Sequence, residues 1–331
     1  MKKKKILKLI SIILVILILL IAANTIRKKY SNRVTLNGTL KVENTKLKNQ
    51  WGKTIQLKGV SSHGIQWEYA DCINYENLKT LRDDWGINVF RIAMYTEEDG
   101  YIQKPEEIKK KVTDIVDMCI DLDIYVVVDW HILSDNNPND HKQEAMEFFE
   151  QISSQYKETP NIIYEICNEP NGIDVGWKSD IMPYATDIIN VIRKNAPKSI
   201  IIVGTSDWSK SIIEAANNQL PFENIMYAFH FYAGTHGEMY RDNIDYAIEK
   251  GTPIFVSEWG TTTYDVGEEV YEEESKKWVE FLDERNISWI NWSFSNKKEA
   301  TSILKENLTE NINDCLTTSG KFIKSVIDTR K

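Results

Sequence analysis

The first hydrophobic feature of this 331-residue chain is nearly continuous. Ile6 to Ala23 is apolar except for Lys8 and Ser11, and it follows a basic cap from Met1 to Lys5. As a helix rising 1.5 Å per residue the run reaches about 27 Å, close to the roughly 30 Å hydrocarbon core of a bilayer. It is longer than the apolar core of an ordinary cleaved signal, and Arg27, Lys28, Lys29 and Arg33 follow it. Residues 1–33 are therefore expected to be an uncleaved signal anchor on the outer face of the cell membrane, with cleavage near Ile21-Ala22-Ala23 and secretion as the rival. Val34 to Lys53 changes character: it is polar and turn-rich, with Asn37-Gly38 and Trp51-Gly52, and predicts a short β-hairpin lid.

From Thr54 two periodicities alternate. Short β-branched runs predict strands at Ile55–Val60, Val89–Met94, Ile124–Asp129, Ile162–Cys167, Ile200–Val203, Ile225–Phe231, Ile254–Ser257 and Ser288–Ser293. Amphipathic segments between them predict helices at Tyr75–Trp85, Pro105–Leu122, Lys142–Tyr156, Ser179–Asn195, Ser209–Asn217, Glu238–Lys250 and Val270–Arg285, and Gly320–Arg330 closes the chain. Eight strand-helix units in one domain, residues 34–331, give the rhythm of a (β/α)8 TIM barrel. A doubly wound sheet is the alternative, but Gly59 to Gly64 (GVSSHG) is not the glycine-rich first turn such a sheet usually carries.

Charge narrows the partners. The chain carries −9 overall, but residues 1–33 hold nine basic and no acidic side chains, leaving −18 on the remainder. Such a body is ill suited to nucleic acid. Ten Trp and fifteen Tyr suit stacking on sugar rings as well as filling a core. Cys72, Cys119, Cys167 and Cys315 form no CxxC pair, which argues against zinc; a Cys72–Cys315 bridge stays open.

The predicted strands end on chemistry-bearing side chains. His63 and Trp67 follow strand one, Arg91 and Tyr95 lie on and just after strand two, and Asp129-Trp130-His131 ends strand three. Asn168-Glu169-Pro170 follows strand four, His230-Phe231-Tyr232 ends strand six, Glu258-Trp259 follows strand seven, and Trp292 ends strand eight. Parallel barrels keep their active sites at this carboxyl face. Pro170 holds Glu169 extended, since it disfavours helix for the residue before it. Two carboxylates from separate strands, Glu169 and Glu258, are the pair that glycosidic hydrolysis needs: one acid to protonate the leaving oxygen, one carboxylate to attack or to activate water. Arg91 and Tyr232 are placed to favour the charged form of Glu258, suiting a nucleophile, and burial beside a second negative charge would raise Glu169 as the acid/base. The chain has no HExxH or H-x-H pair and no GxSxG elbow, so neither a metal nor a serine nucleophile is expected, and the chemistry requires no cofactor. Alternation also turns Glu165 and Cys167 to the same side as Glu169, into the barrel, where a buried carboxylate needs a partner such as Lys58 or another inward base.

Five segments in order, FRIAMY (residues 90–95), VDWH (128–131), IYEICNEPNG (163–172), YAFHFYAGTHG (227–237) and FVSEWG (255–260), together resemble glycoside hydrolase family five, and within it the bacterial endo-β-1,4-glucanases. The resemblance runs from about Leu40 to Lys298. It implies a retaining mechanism with Glu169 as acid/base and Glu258 as nucleophile, acting on a β-glucan such as cellulose, in a monomer. It further implies that Asn168 bonds the substrate 2-hydroxyl, that Arg91 and Tyr232 support the nucleophile, and that His131 and His230 line the central subsite. Trp292 would be a stacking platform, and His63, Trp67, Tyr95, Lys297 and Glu299 match further cleft positions. The same retaining chemistry on mannan, mixed-linkage glucan or xylan, or glycan binding without catalysis, are the alternatives. Thr301 to Asp314 departs from the pattern: it is polar and lacks the glycine- and tryptophan-bearing loop of relatives, which puts distal binding there in doubt.

Overall fold

The computed structural model describes Lys8, residues 12–19 and residues 30–330. Most of the expected anchor lies outside the described residues, and among the described residues no helix is long and apolar enough to cross a membrane.

A two-stranded hairpin, β1 (Lys41–Glu43) and β2 (Lys46–Lys48), precedes a closed parallel barrel. The barrel strands are β3 (Lys58–Ser62), β4 (Val89–Tyr95), β5 (Tyr125–His131), β6 (Ile162–Glu165), β7 (Ile200–Val203), β8 (Ile225–Tyr232), β9 (Ile254–Gly260) and β10 (Trp289–Phe294). They pair in sequence order, and β10 closes on β3, so the expected (β/α)8 barrel is what forms. Six of the eight strands begin within a residue of where the sequence pattern starts and a seventh begins at the predicted residue but ends early. The exception is the first: β3 starts at Lys58 because Thr54 bridges to Lys48 and Ile55 donates its N–H to the Leu47 carbonyl, tying that stretch to the hairpin instead.

Alternation along the strands divides the interior. Val89, Tyr125, Val127, Ile163, Ile202, Ala228, Phe255 and Ile290 fill the lower barrel with apolar side chains, and Val34, Leu40, Leu47 and Leu57 plug its amino-terminal end. The opposite strand faces and the helices share a second, larger apolar layer, including Trp85, Trp130, Trp259, Trp278 and Trp289. Above the apolar plug the interior turns polar: Arg91, Asp129, Glu165 and Ser257 are fully buried. All four cysteines are buried free thiols.

Candidate active site

Glu165 does face the interior, but its base is Arg91, whose Nε lies 2.7 Å from Oε2. Lys58 pairs with Asp283 at 2.7 Å, below the barrel floor that β3 enters late. Pairing of β6 ends at Glu165, so the alternation that turned Cys167 inward stops there. Cys167 packs in the helix-sheet layer, and Glu169 reaches the cleft from a loop.

Arg91 organises the centre. Its guanidinium donates from Nη1 to Glu258 Oε2 at 3.1 Å and from Nη2 to Asn168 Oδ1 at 2.7 Å, and Nη2 also lies 3.0 Å from Asp129 Oδ2. Although burial opposes its charge, Asp129, Glu165 and Glu258 hold Arg91 above its ordinary value. Because Asn168 accepts through Oδ1, its amide group is left to donate to the Ile132 carbonyl at 3.1 Å and toward His131 Nε2 at 3.3 Å. His131 is then the tautomer with a proton on Nδ1, 2.6 Å from Asp129 Oδ2. Burial, then the charges of Arg91 and His230, keep that ring well below its ordinary value and neutral.

The loop carrying Glu169 is gripped from β7's side. Ser209 Oγ donates to the Asn168 carbonyl at 2.7 Å, and the Trp208 N–H donates to the Pro170 carbonyl at 3.0 Å. Gly204, at the end of β7, abuts the same loop so closely that a Cβ would lie 1.9 Å from the Cys167 carbonyl oxygen. Glu169 is 9% exposed and its Oε1 faces His230 Nδ1 at 2.9 Å.

Glu258 arises from an irregularity. Between β8 and β9 the register moves from Ala228 opposite Phe255 to His230 opposite Glu258, which places one extra residue on β9. A bulge of this kind re-aims side chains, and here Ser257 and Glu258 both point inward: Ser257 bonds Glu165 and His230, and Tyr232 donates its phenol to Glu258 Oε1 at 2.9 Å. Burial and the charge of Glu169 push Glu258 up, outweighing the downward pull of His230, Arg91 and the Tyr232 hydrogen bond. The support expected from Arg91 and Tyr232 is therefore present and is the smaller influence.

An oxygen of Glu169, an oxygen of Glu258 and a ring nitrogen of His230 lie within 4.8 Å of one another. Burial disfavours the imidazolium, but Glu165, Glu169 and Glu258 prevail and push His230 up to about 9, and its Nδ1 is already engaged with Glu169.

The cleft above has a volume of about 520 Å³ and is lined by His63, Tyr95, His131, Glu169, His230, Tyr232, Glu258, Trp292, Lys297 and Glu299 among the predicted residues. Trp292 stacks on His131 with ring centroids 5.5 Å apart, and Trp67 meets Tyr95 edge-on at 4.9 Å. Lys297 pairs with Glu299 at 2.7 Å and lies 3.2 Å from His63 Nε2. Burial and Lys297 push His63 down to about 3, so it is neutral. The divergent segment begins buried at Thr301, whose hydroxyl donates to Glu299 Oε1 at 3.0 Å, so its first residues brace the cleft edge.

His236, the fourth histidine near the strand-end rim, also lines the cleft, as do Trp208, Lys210, Tyr264 and Val266, which were not singled out by sequence. The pattern predicts a helix from Ser209, yet Asp207, Trp208 and Ser209 all have φ of 55–56°. That left-handed run lifts Trp208, 45% exposed, into the cleft, with Lys210 Nζ 5.4 Å from its ring. No glycine stands within it; the one legible signal is a Trp in the loop that follows β7, five residues past Val203.

The family profile Cellulase (glycosyl hydrolase family 5) matches residues 48–298. The chain belongs to glycosyl hydrolase family 5. This family 5 chain is 55% identical to Endoglucanase A of Evansella cellulosilytica over 253 residues, 76% of this chain and 51% of the relative. It is 51% identical to the Endoglucanase of Clostridium saccharobutylicum over 293 residues, 88% of this chain and 65% of the relative. The chain thus spans about half to two thirds of the length of these relatives. Among solved structures, Cellulase Cel5C_n superposes with a TM-score of 0.83 at 40% identity, covering 87% of this chain and 91% of that one. The catalytic domain of Thermobifida fusca endoglucanase Cel5A, in complex with cellotetraose, superposes with a TM-score of 0.83 at 34% identity, covering 88% and 98%.

Proposed function

We propose that this family 5 chain is a retaining endo-β-1,4-glucanase, with Glu169 as acid/base and Glu258 as nucleophile. The observation that carries the reading is the separation of the two carboxylates, whose nearest oxygens come within 4.8 Å. Retaining pairs stand about 5–5.5 Å apart, whereas inverting pairs leave roughly 6.5–9.5 Å for a water. In the first step the Glu169 proton passes to the glycosidic oxygen as the sugar's C1–O bond breaks and Glu258 bonds C1. Water then attacks C1, giving its proton to Glu169 and releasing Glu258. Arg91 and Tyr232, one on each Glu258 oxygen, orient the attack and favour the carboxylate.

Mid-chain cutting is supported by the cleft's two arms. Trp292 and His63 belong to the ends of β10 and β3, and Trp208 with Lys210 follows β7, across the closed barrel. The names of the relatives, and the cellotetraose held by the Thermobifida protein, support a β-1,4-glucan as substrate. Reducing-sugar release from carboxymethylcellulose, galactomannan and xylan tests this, with Glu258→Gln alongside. Activity on the cellulose derivative, lost in the variant, is expected; turnover confined to galactomannan or xylan would overturn the substrate, and none on any would overturn the enzyme. Proton NMR of the first anomer released tests retention.

The apolar run Ile6 to Ala23, with basic residues on both flanks, supports an uncleaved signal anchor holding the enzyme on the outer membrane face. Full-length protein in the membrane fraction is the expected result; a shortened chain in the culture supernatant would mean cleavage.

A further inference from the structure

Glu165 and Ser257 lie beneath the catalytic carboxylates, and their side chains hydrogen-bond neither. Both are fully buried. Glu165 Oε2 is taken by Arg91, and Ser257 Oγ lies 2.6 Å from Glu165 Oε1 and 2.9 Å from His230 Nε2. Burial resists the charge on Glu165, but Arg91 and His230 outweigh it and hold the carboxyl down to about 2. An ionised carboxylate only accepts hydrogen bonds, so the single Ser257 proton points at Glu165. The Ser257 oxygen is left to accept, so His230 Nε2 carries a proton. The other nitrogen, Nδ1, faces Glu169 Oε1 at 2.9 Å.

We infer that Glu165 and Ser257 are positioning residues for the acid/base: they keep His230 protonated on both nitrogens, and so reserve the acidic proton of Glu169 for Oε2, the oxygen left for substrate. The inference rests on reading Glu169 as the acid/base. With Nδ1 protonated, Oε1 is occupied as an acceptor, and no described residue hydrogen-bonds Oε2. The proton on Oε2 moves to the leaving oxygen in the first step, and the attacking water restores one to Glu169 in the second; His230 ends each half-reaction as it began. When His230 loses its Nδ1 proton, the Glu169 proton is drawn to Oε1 and toward Nδ1, away from the bond to be cut. His230 thereby sets the basic limit of activity. The groups facing it are Glu165 and Glu169 from β6 and its following loop, Ser257 and Glu258 from β9, Arg91 from β4, and Asp129 and His131 from β5.

Ser257→Ala in the full chain is the decisive variant, read as kcat/KM against pH on a cello-oligosaccharide. Losing one hydrogen bond to a charged imidazolium moves the basic limb to lower pH by roughly one to two units. The loss falls on kcat, leaves KM unchanged and disappears at acidic pH, and Ser257→Thr, which keeps the hydroxyl, restores the limb. Damage to packing alone would lower activity evenly across pH and leave the limb in place, and that result overturns the inference. Glu165→Gln moves the limb the same way with a larger loss, because it also loosens Arg91; circular dichroism separates this from misfolding, and an unmoved limb in a folded Glu165→Gln overturns the inference too. An active parent with an unmoved limb in Ser257→Ala sinks this inference alone. A parent inactive on every β-glucan, or fully active as Glu169→Ala, sinks the acid/base reading and this one with it.

Discussion

Tyr232 and Glu258 meet at 2.9 Å, phenol to Oε1, on the carboxylate oxygen that Arg91 leaves free. The two residues come from adjacent strands, and the bulge in β9 sets Glu258 opposite His230, so Tyr232 reaches it from two residues further along β8. Tyr232→Phe keeps the ring and removes this one donor. Hydrogen bonds to a charged group contribute about 1.5–3 kcal/mol, so kcat should fall roughly ten- to a hundredfold. Because the phenol pulls Glu258 down, its loss lets Glu258 rise, and the acid limb of the pH profile should move to higher pH. Steady-state kinetics across pH check both.

Glu169→Ala removes the proposed proton donor and leaves the proposed nucleophile. Turnover of cellulose derivatives should fall by about 10²–10⁴. A nitrophenyl cellobioside, whose leaving group departs without protonation, should still form the glycosyl-enzyme and show a burst followed by slow release. An equal loss on both substrates would remove Glu169 from the acid role.

Trp208 touches substrate space without supporting the fold, being 45% exposed on its left-handed turn. Trp208→Ala should raise KM for cello-oligosaccharides about five- to tenfold, a stacking loss of roughly 1 kcal/mol, with kcat little changed. Unaltered circular dichroism would show that the turn survives.

Arg91 pairs with three buried carboxyl groups, Asp129, Glu165 and Glu258. Arg91→Leu leaves them uncompensated and should destabilise the fold by about 3–5 kcal/mol, seen as a lower denaturant midpoint. Activity should be lost at the same time, since Asn168 and Glu258 lose their common anchor.

His230 makes stability depend on pH. Its folded value, pushed up to about 9, exceeds the ordinary 6.5, so its stabilisation is full below about pH 6.5 and fades as pH rises through 9. Thermal unfolding of the parent should weaken across that window, and His230→Asn should flatten the dependence.

What was legible in the chain follows from periodicity and from punctuation. Alternation of β-branched runs with amphipathic stretches determined a parallel sheet under helices, because each strand must bury both faces, and the pairing of β10 with β3 decided its closure into a barrel. Strand ends determined most of the site: Arg91, His131, Asn168, Glu169, His230, Tyr232, Glu258 and Trp292 all reach the one cleft or its floor. Glu165 was placed inward by alternation and needed a base, and the base was Arg91 rather than Lys58, because register across the barrel sets which inward cation is level with it.

Other features belonged to tertiary structure alone. Nothing local announces that β9 bulges, and without the bulge Ser257 and Glu258 would face opposite ways; pairing with β8 decides it. Nothing local marks Asp207 to Ser209 as left-handed, since no glycine stands there; the bonds from Trp208 and Ser209 to the Glu169 loop hold that turn. The sequence by itself determined which residues are gathered at one end of a barrel, since a side-chain period of two and a run of apolar residues are local properties. Protonation states, the shared anchor at Arg91 and the reach of Trp208 were decided by tertiary structure, because each depends on distances between strands far apart in the chain.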